Sequence, residues 1–211
     1  MIVWFASGNV HKKAELTAII GREIKIPLDA ELEFDPEETE SSFQGNALLK
    51  ARELYSLLSR HPALYRPGDP IIADDSGICV DALDGRPGIY SARYTGVKNR
   101  EQGKKLSAIE RNTLLLEEIG DNHLRTARFV CAMALLFSPD RFFVAQETLE
   151  GEIVRDLNCA KGAGGFGYDP ILFIPEFNRT VAELSEAEKN TISHRGKAGK
   201  IIAEVLRGIR D

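Results

Sequence analysis

Ile2-Val3-Trp4-Phe5-Ala6-Ser7-Gly8-Asn9-Val10-His11-Lys12-Lys13-Ala14-Glu15-Leu16-Thr17-Ala18-Ile19-Ile20-Gly21 is the stretch that decides the fold class. Residues 2–6 are a short apolar, β-prone run, and Ser7-Gly8-Asn9 breaks it. Val10, Ala14, Leu16, Ile19 and Ile20 then recur with helical spacing as far as Gly21. Strand, turn and helix in succession are the building unit of α/β sheets.

Working outward, residues 24–28 carry a second strand signal, and Phe43, Ala47, Ala51, Leu54 and Leu58 recur at the spacings of an amphipathic helix. Pro62, Pro67, Gly68 and Pro70 make 61–70 a loop returning the chain to the apolar strand Ile71-Ile72-Ala73. Asp84-Gly85 marks a turn before the strand-like 89–94, and Leu106, Ile109 and Leu114-Leu115-Leu116 give 99–119 a helical pattern. Residues 129–137 and 142–149, separated by Ser138-Pro139-Asp140-Arg141, form a long β-hairpin. Ser185-Glu186-Ala187-Glu188 is a capping box, and Ala198, Ile202, Val205 and Ile209 give the final helix an apolar face. Strands outnumber simple βαβ alternation, so the class is α/β with a mixed sheet.

With 211 residues the chain has the length of one domain, of two lobes at most, spanning 1–211. No stretch approaches the ~18 apolar residues of a membrane span, and the first residues show no basic leader, which argues for a cytoplasmic protein without a membrane partner. Cys79, Cys131 and Cys159 form no CxxC pair and are read as reduced, two of them in the core. A net charge of −5 argues against a nucleic-acid partner held by bulk electrostatics. Charge is segregated, however: residues 29–40 hold seven carboxylates and no Lys or Arg, whereas Lys189, Arg195, Lys197 and Lys200 cluster late in the chain. That division suits a metal plus a polyphosphate, the other reading being two solvated faces.

Four constellations carry candidate chemistry. Ser7, Gly8, Asn9, Val10, His11 and Lys12 stand where a strand hands over to a helix, whose N-terminal N–H groups and dipole favour phosphate. The alternative is an ordinary N-cap at Ser7 or Asn9 with Lys12 in solvent. Asp74-Asp75-Ser76-Gly77 ends an apolar strand; adjacent carboxylates there can hold a hard cation or activate water, and Glu37 and Glu38 would complete a Mg²⁺ site. The alternative is a polar turn.

The run 162–170 contains GxGxxG but leads into β-prone 171–174 rather than a helix, so a dinucleotide fold is rejected. It offers Phe166 and Tyr168 as an aromatic face for a base, or else is a tight turn with Phe166 in the core. Lys189 with Ser193-His194-Arg195-Gly196-Lys197 offers donors suited to a purine 6-oxo group, or is surface decoration.

In this order, Ser7-Gly8-Asn9 with Lys12, Phe43 with Asn46-Ala47 and Lys50-Ala51, the run from Ala73-Asp74-Asp75-Ser76-Gly77 through Pro87 to Tyr94, residues 165–170, and Ser193-His194-Arg195-Gly196 resemble the inosine/xanthosine triphosphate pyrophosphatase family. The match spans nearly the whole chain. The resemblance implies a two-lobed α/β fold with a long mixed sheet flanked by helices, an active site in the cleft between lobes, and usually a homodimer. It implies Mg²⁺-dependent hydrolysis of ITP, dITP and XTP to the monophosphate and pyrophosphate.

By position, Ser7, Gly8, Asn9, Val10, His11 and Lys12 would bind phosphate. Glu37 and Asp75 would hold Mg²⁺, Asp75 would serve as general base, and Ser76 would touch substrate. Phe166, Gly167, Tyr168, Asp169, Lys189, His194 and Arg195 would embrace the nucleoside, with Glu38, Asp74 and Lys50 as accessories. His11, where many members have a small residue, and a longer 59–70 loop are departures from the family pattern. A pyrophosphatase for modified pyrimidines and a non-catalytic nucleotide sensor are the rival readings.

Overall fold

A computed structural model describes residues 1–96, 106–162 and 165–209. β1 (Val3–Phe5) is followed by α1 (Val10–Ile20), which stops at Gly21 because that residue takes a left-handed φ of 69° and returns its N–H to the Thr17 carbonyl. β2 is only Ile24–Lys25, shorter than the expected 24–28. Pro27 has no N–H to extend the ladder and instead begins the 3-10 turn Pro27–Ala30. α2 (Phe43–Ser59) starts on Ser42, whose side chain accepts from the Gly45 N–H.

β3 runs Ile71–Val80, so Asp74-Asp75-Ser76-Gly77 lie within a strand and neither end it nor form a polar turn. Fully buried Ile78 and Val80 carry the strand past them. β4 (Arg86–Pro87) pairs antiparallel with β3. Beyond it Gly88–Arg93 is a 3-10 helix where a strand was expected. Ser91 explains the difference, because its hydroxyl accepts from Ile78 N–H and donates to the Gly88 carbonyl, curling the segment onto β3.

α3 (Ala108–Ile119) opens with the reciprocal Ser107/Glu110 capping box, and the earlier part of the expected helix, 99–105, lies outside the described residues. β5 (Thr126–Ser138) and β6 (Arg141–Ile153) form the expected hairpin. β7 (Leu172–Ile174) and β8 (Arg179–Thr180) follow by antiparallel pairing, and α4 (Glu186–Ile192) and α5 (His194–Gly208) complete the chain. Among the described residues the sheet has eight strands in the order β2-β1-β3-β5-β6-β7-β8, with β4 also on β3; β1 is parallel to β2 and β3 while β7 is antiparallel to β6 and β8, so the sheet is mixed.

The chain divides into two compact units. The first comprises Met1–Asp75, Cys131–Glu147 and His194–Asp211, and its core shows strand alternation directly. Val3, Phe5, Ile72, Cys131, Met133 and Leu135 pack with Leu16 of α1 and with Ala198, Ile202 and Leu206 of α5. Trp4, Ala6, Ile71, Ala73, Ala132, Ala134 and Leu136 pack instead with Ala47, Ala51, Leu54 and Leu58 of α2. Successive strand residues point to opposite faces, so β1, residues 71–73 and residues 131–136 are covered on both sides and read as unbroken apolar runs.

The second unit, Ser76–Val130 and Thr148–Ser193, closes around Ile78, Val80, Leu115, Phe129, Ile171 and Leu172. All three cysteines are free, but only Cys131 is buried; Cys79 is half-buried and Cys159 exposed, so one rather than two belongs to the core. Among the described residues no helix is long and apolar enough to cross a membrane.

Leu54 is fully buried beneath β1 and β3. Leu54→Ala is expected to lower unfolding free energy by about 2–5 kcal/mol, read as a lower urea midpoint with unchanged m-value.

Candidate active site

Because the strand alternates, the two adjacent aspartates of β3 enter different surroundings. Asp74 shares the face of Ile72, toward α1 and α5, and is 1% exposed. Lys12 Nζ of α1 donates to its two oxygens at 2.9 and 3.0 Å, and Arg195 of α5 donates from Nε and Nη2 to Oδ2 at 3.2 and 3.1 Å. Arg195 Nη1 reaches Glu15 Oε2 at 2.7 Å. Burial alone would push the Asp74 carboxyl up, but Lys12, Arg195 and Lys50 together outweigh it and hold the group well below the usual carboxylate range.

Asp75 shares the face of Ile71 and Ala73, toward α2. Asn46 Nδ2 donates to its Oδ2 at 3.0 Å, and Lys50 Nζ lies 3.6 Å from its Oδ1. Lys50 makes a closer contact, 2.7 Å, with Glu38 Oε1. Burial pushes the Asp75 carboxyl up; Lys50 and Asn46 work against this, while Glu38 and Asp74 add to it, and the result is a raised pKa. Burial opposes the charge of Lys50, yet Asp74, Asp75 and Glu38 hold its pKa above the ordinary value. One carboxyl is thus held toward its anion, and its neighbour, pushed the other way, shares the Lys50 ammonium with Glu38.

The 7–12 segment is a helix cap. Asn9 Oδ1 accepts from the His11 and Lys12 N–H groups at 2.9 and 3.2 Å, and Ser7 Oγ accepts from Asn9 N–H at 3.1 Å. Those amides are therefore satisfied internally, and Lys12 is directed at Asp74 rather than into solvent. Val10 and His11 are exposed. Ser7 and Gly8 line a cavity of about 540 Å³ with Pro27, Leu28, Leu32, Glu33, Phe34 and Asp35. A Cβ on Gly8 would meet nothing within 4 Å, so the fold itself makes no demand for glycine there.

In the second unit, Asp169 organises the glycine-rich loop. Its Oδ2 accepts from Phe166 N–H at 2.8 Å and from Lys189 Nζ at 2.8 Å. Gly165 has φ of 74°, and a Cβ there would lie 2.0 Å from Asp169 Oδ2, so both conformation and space exclude a side chain. Asn112 Nδ2 holds the Gly167 carbonyl at 3.2 Å. Phe166 is 41% exposed, with the Lys189 ammonium 4.8 Å from its ring centroid, and so does not belong to the core. Tyr168 is buried and its hydroxyl donates to the Ser91 carbonyl, so it offers no face to a base. This unit has a cavity of about 580 Å³, bordered by Arg125, Arg155 and Lys161, that contains none of the candidate site residues.

Residues 3–205 match the model of the Ham1 family. The chain belongs to the Ham1 family. Among relatives of this Ham1 chain, the dITP/XTP pyrophosphatase of Treponema denticola is 43% identical over 209 residues, covering 99% of this chain and 100% of its own. That of Thioalkalivibrio sulfidiphilus is 43% identical over 212 residues, with the same two coverages. Among solved structures, the Staphylococcus aureus Ham1 protein superposes with a TM-score of 0.81 at 34% identity, covering 99% of both chains. The Coxiella burnetii HAM1 protein gives 0.80 at 36%, covering 99% of this chain and 100% of its own.

Within this Ham1 chain several sequence-selected residues stand differently from expectation. Arg195, selected to read a base, is 2% exposed, with three of its nitrogens donating to carboxylates, and His194 is buried at the start of α5. Glu37 is exposed, and it is Glu38 that joins Lys50. Ser76 follows Asp75 in β3 and is half-buried. Among the described residues no three His, Cys, Asp or Glu side chains converge as a complete metal cage. Mg²⁺ needs no such cage, since one or two carboxylates plus substrate oxygens and water suffice. The acidic lining around the Lys50 ammonium fits a hard cation.

Asn46 and Glu15 were not selected from sequence. Asn46 carried a signal, because Asn46 and Lys50 are polar residues at i and i+4 bordering the apolar stripe of α2. Glu15 carried none, since its partner is 180 residues away.

Arg195→Leu leaves Asp74 with part of its compensating charge gone, so it is expected to destabilise the fold by about 3–5 kcal/mol. Phe166→Ala is expected to stay within about 0.5 kcal/mol. Chemical denaturation of both variants measures the contrast.

Proposed function

We propose that this chain hydrolyses non-standard purine nucleoside triphosphates, dITP, XTP and ITP among them, to the nucleoside monophosphate and pyrophosphate. The observation that carries this reading is Asp75, a buried carboxylate of raised pKa, oriented by Asn46 and set beside Lys50 and Glu38. The names of the full-length relatives supply the substrate class.

On this reading Asp75, held in orientation by Asn46, orients and deprotonates the water that attacks the α-phosphorus. Lys50 and Lys12 place positive charge against the oxygens of the departing pyrophosphate. The Lys12 ammonium has three donors, two of which serve Asp74. Arg195 keeps Asp74 compensated while Lys12 turns to phosphate. Bare Gly8, which nothing in the fold requires, leaves room for phosphate oxygens to approach the backbone with Ser7.

Mg²⁺, held by Asp75 with Glu37 or Glu38, would supply charge stabilisation to the phosphate oxygens. Phe166 stacks on the base, Lys189 and Asp169 hold that ring in place, and His194 supports discrimination of the 6-oxo group. We place the working assembly, a homodimer as the sequence resemblance implies, in the cytoplasm.

Pyrophosphate release measured across dITP, XTP, ITP and ATP is expected to favour the first three and to stop when EDTA removes the metal. Equal kcat/KM for ITP and ATP would reject the purine selectivity. Asp75→Asn is expected to lower kcat at least ~10²-fold. Phe166→Ala is expected to raise KM for dITP about tenfold, corresponding to ~1.4 kcal/mol of lost stacking, with steady-state kinetics as the check.

A further inference from the structure

Asn46 is fully buried at 0% exposure on the first turns of α2, one turn before Lys50. It makes two bonds in different directions. Its Oδ1 accepts from the backbone N–H of Glu40 at 3.0 Å, and its Nδ2 donates to Asp75 Oδ2 at 3.0 Å. A backbone N–H only donates, so the carboxamide has one orientation that serves both partners: oxygen toward Glu40, nitrogen toward Asp75. The acidic segment is packed close here, because a Cβ on neighbouring Gly45 would lie 2.8 Å from Glu40 Cβ.

We infer that Asn46 is a positioning residue that ties the acidic segment bearing Glu37 and Glu38 to the Asp75 carboxylate, fixing the oxygen donors of the metal site in one arrangement. The inference rests on the reading of Asp75 as base and metal ligand. Lys50 cannot replace it: the ammonium, 2.7 Å from Glu38 and 3.6 Å from Asp75, supplies charge on a flexible stem but holds no backbone. The carboxamide joins main chain to side chain through a rigid planar group on a helix. Outer partners of this kind set the orientation of metal-binding carboxylates.

The test compares the full-length wild type with Asn46→Leu, close in volume, and Asn46→Ala, which decides the matter where Leu fails to fold. Mn²⁺ binding is measured by electron paramagnetic resonance without nucleotide. The half-saturating Mg²⁺ for pyrophosphate release and the KM for dITP are measured alongside, with thermal melting as the control on folding. The expected result is Mn²⁺ binding weaker by ~10–100-fold, with a higher half-saturating Mg²⁺ and lower kcat. KM for dITP stays within about threefold, because base contacts are untouched.

Wild-type Mn²⁺ affinity in a folded variant overturns the inference, whatever the rate, as does a wild-type protein that binds no Mn²⁺. Should wild type bind Mn²⁺ yet release no pyrophosphate from dITP or XTP, the enzymatic reading falls by itself. The Mn²⁺ comparison then still decides the role of Asn46, weaker binding supporting it and equal binding overturning it.

Discussion

Everything at the candidate site depends on the pleat of one strand. Two successive carboxylates cannot share a face in extended backbone, so Asp74 and Asp75 are delivered to different helices although they are covalent neighbours. A buried carboxylate must be compensated, and the available cations are divided unequally between them. Asp74 takes Lys12 and Arg195 at close range, while Asp75 shares Lys50 with Glu38. The same side chain therefore has its pKa held down on one side of the sheet and pushed up on the other. Had β3 ended at Ala73, both groups would have fallen in a solvated turn with nothing to separate them.

The ion cluster around Asp74 is better understood as a geometrical device than as a source of stability. Burying Asp74 and Arg195 costs each its hydration, and their attraction roughly returns that cost. What remains is direction: α1 and α5 are pinned to the same carboxylate, with Glu15 closing the chain of charges. The planar guanidinium presents donors to two carboxylates at once, which an ammonium on a flexible stem does not do with the same fixity.

Much of this was legible in the chain. Apolar periodicity marks β1, α1, α2, the β5–β6 hairpin and α5, because there burial and local propensity agree. The departures occur where a single residue overrules the pattern. Pro27 ends β2 early, and the Ser91 hydroxyl bends 88–93 away from a strand. Asp74-Asp75 look like a turn because charge is rarely buried, and only partners far along the chain make a buried strand tolerable there. Motif position selected Asp75, Lys12 and the Phe166 loop. It did not reveal the burial of Arg195 and Tyr168, which depends on long-range contacts with Asp74 and Ser91. Asn46 was in plain view within a motif, but its role depends on a bond to a strand 29 residues later.

The interleaving of the first unit has a consequence for how the protein is made. α1 is synthesised well before its partner α5, with Gly199 so close that a Cβ would lie 2.8 Å from Ile19 Cγ2. Arg195 follows Glu15 by 180 residues, an interval on the order of 10–40 s at the usual pace of a ribosome. Throughout that interval the part of α1 that packs on α5 has no covering helix. The nascent chain must carry that open hydrophobic surface until α5 emerges.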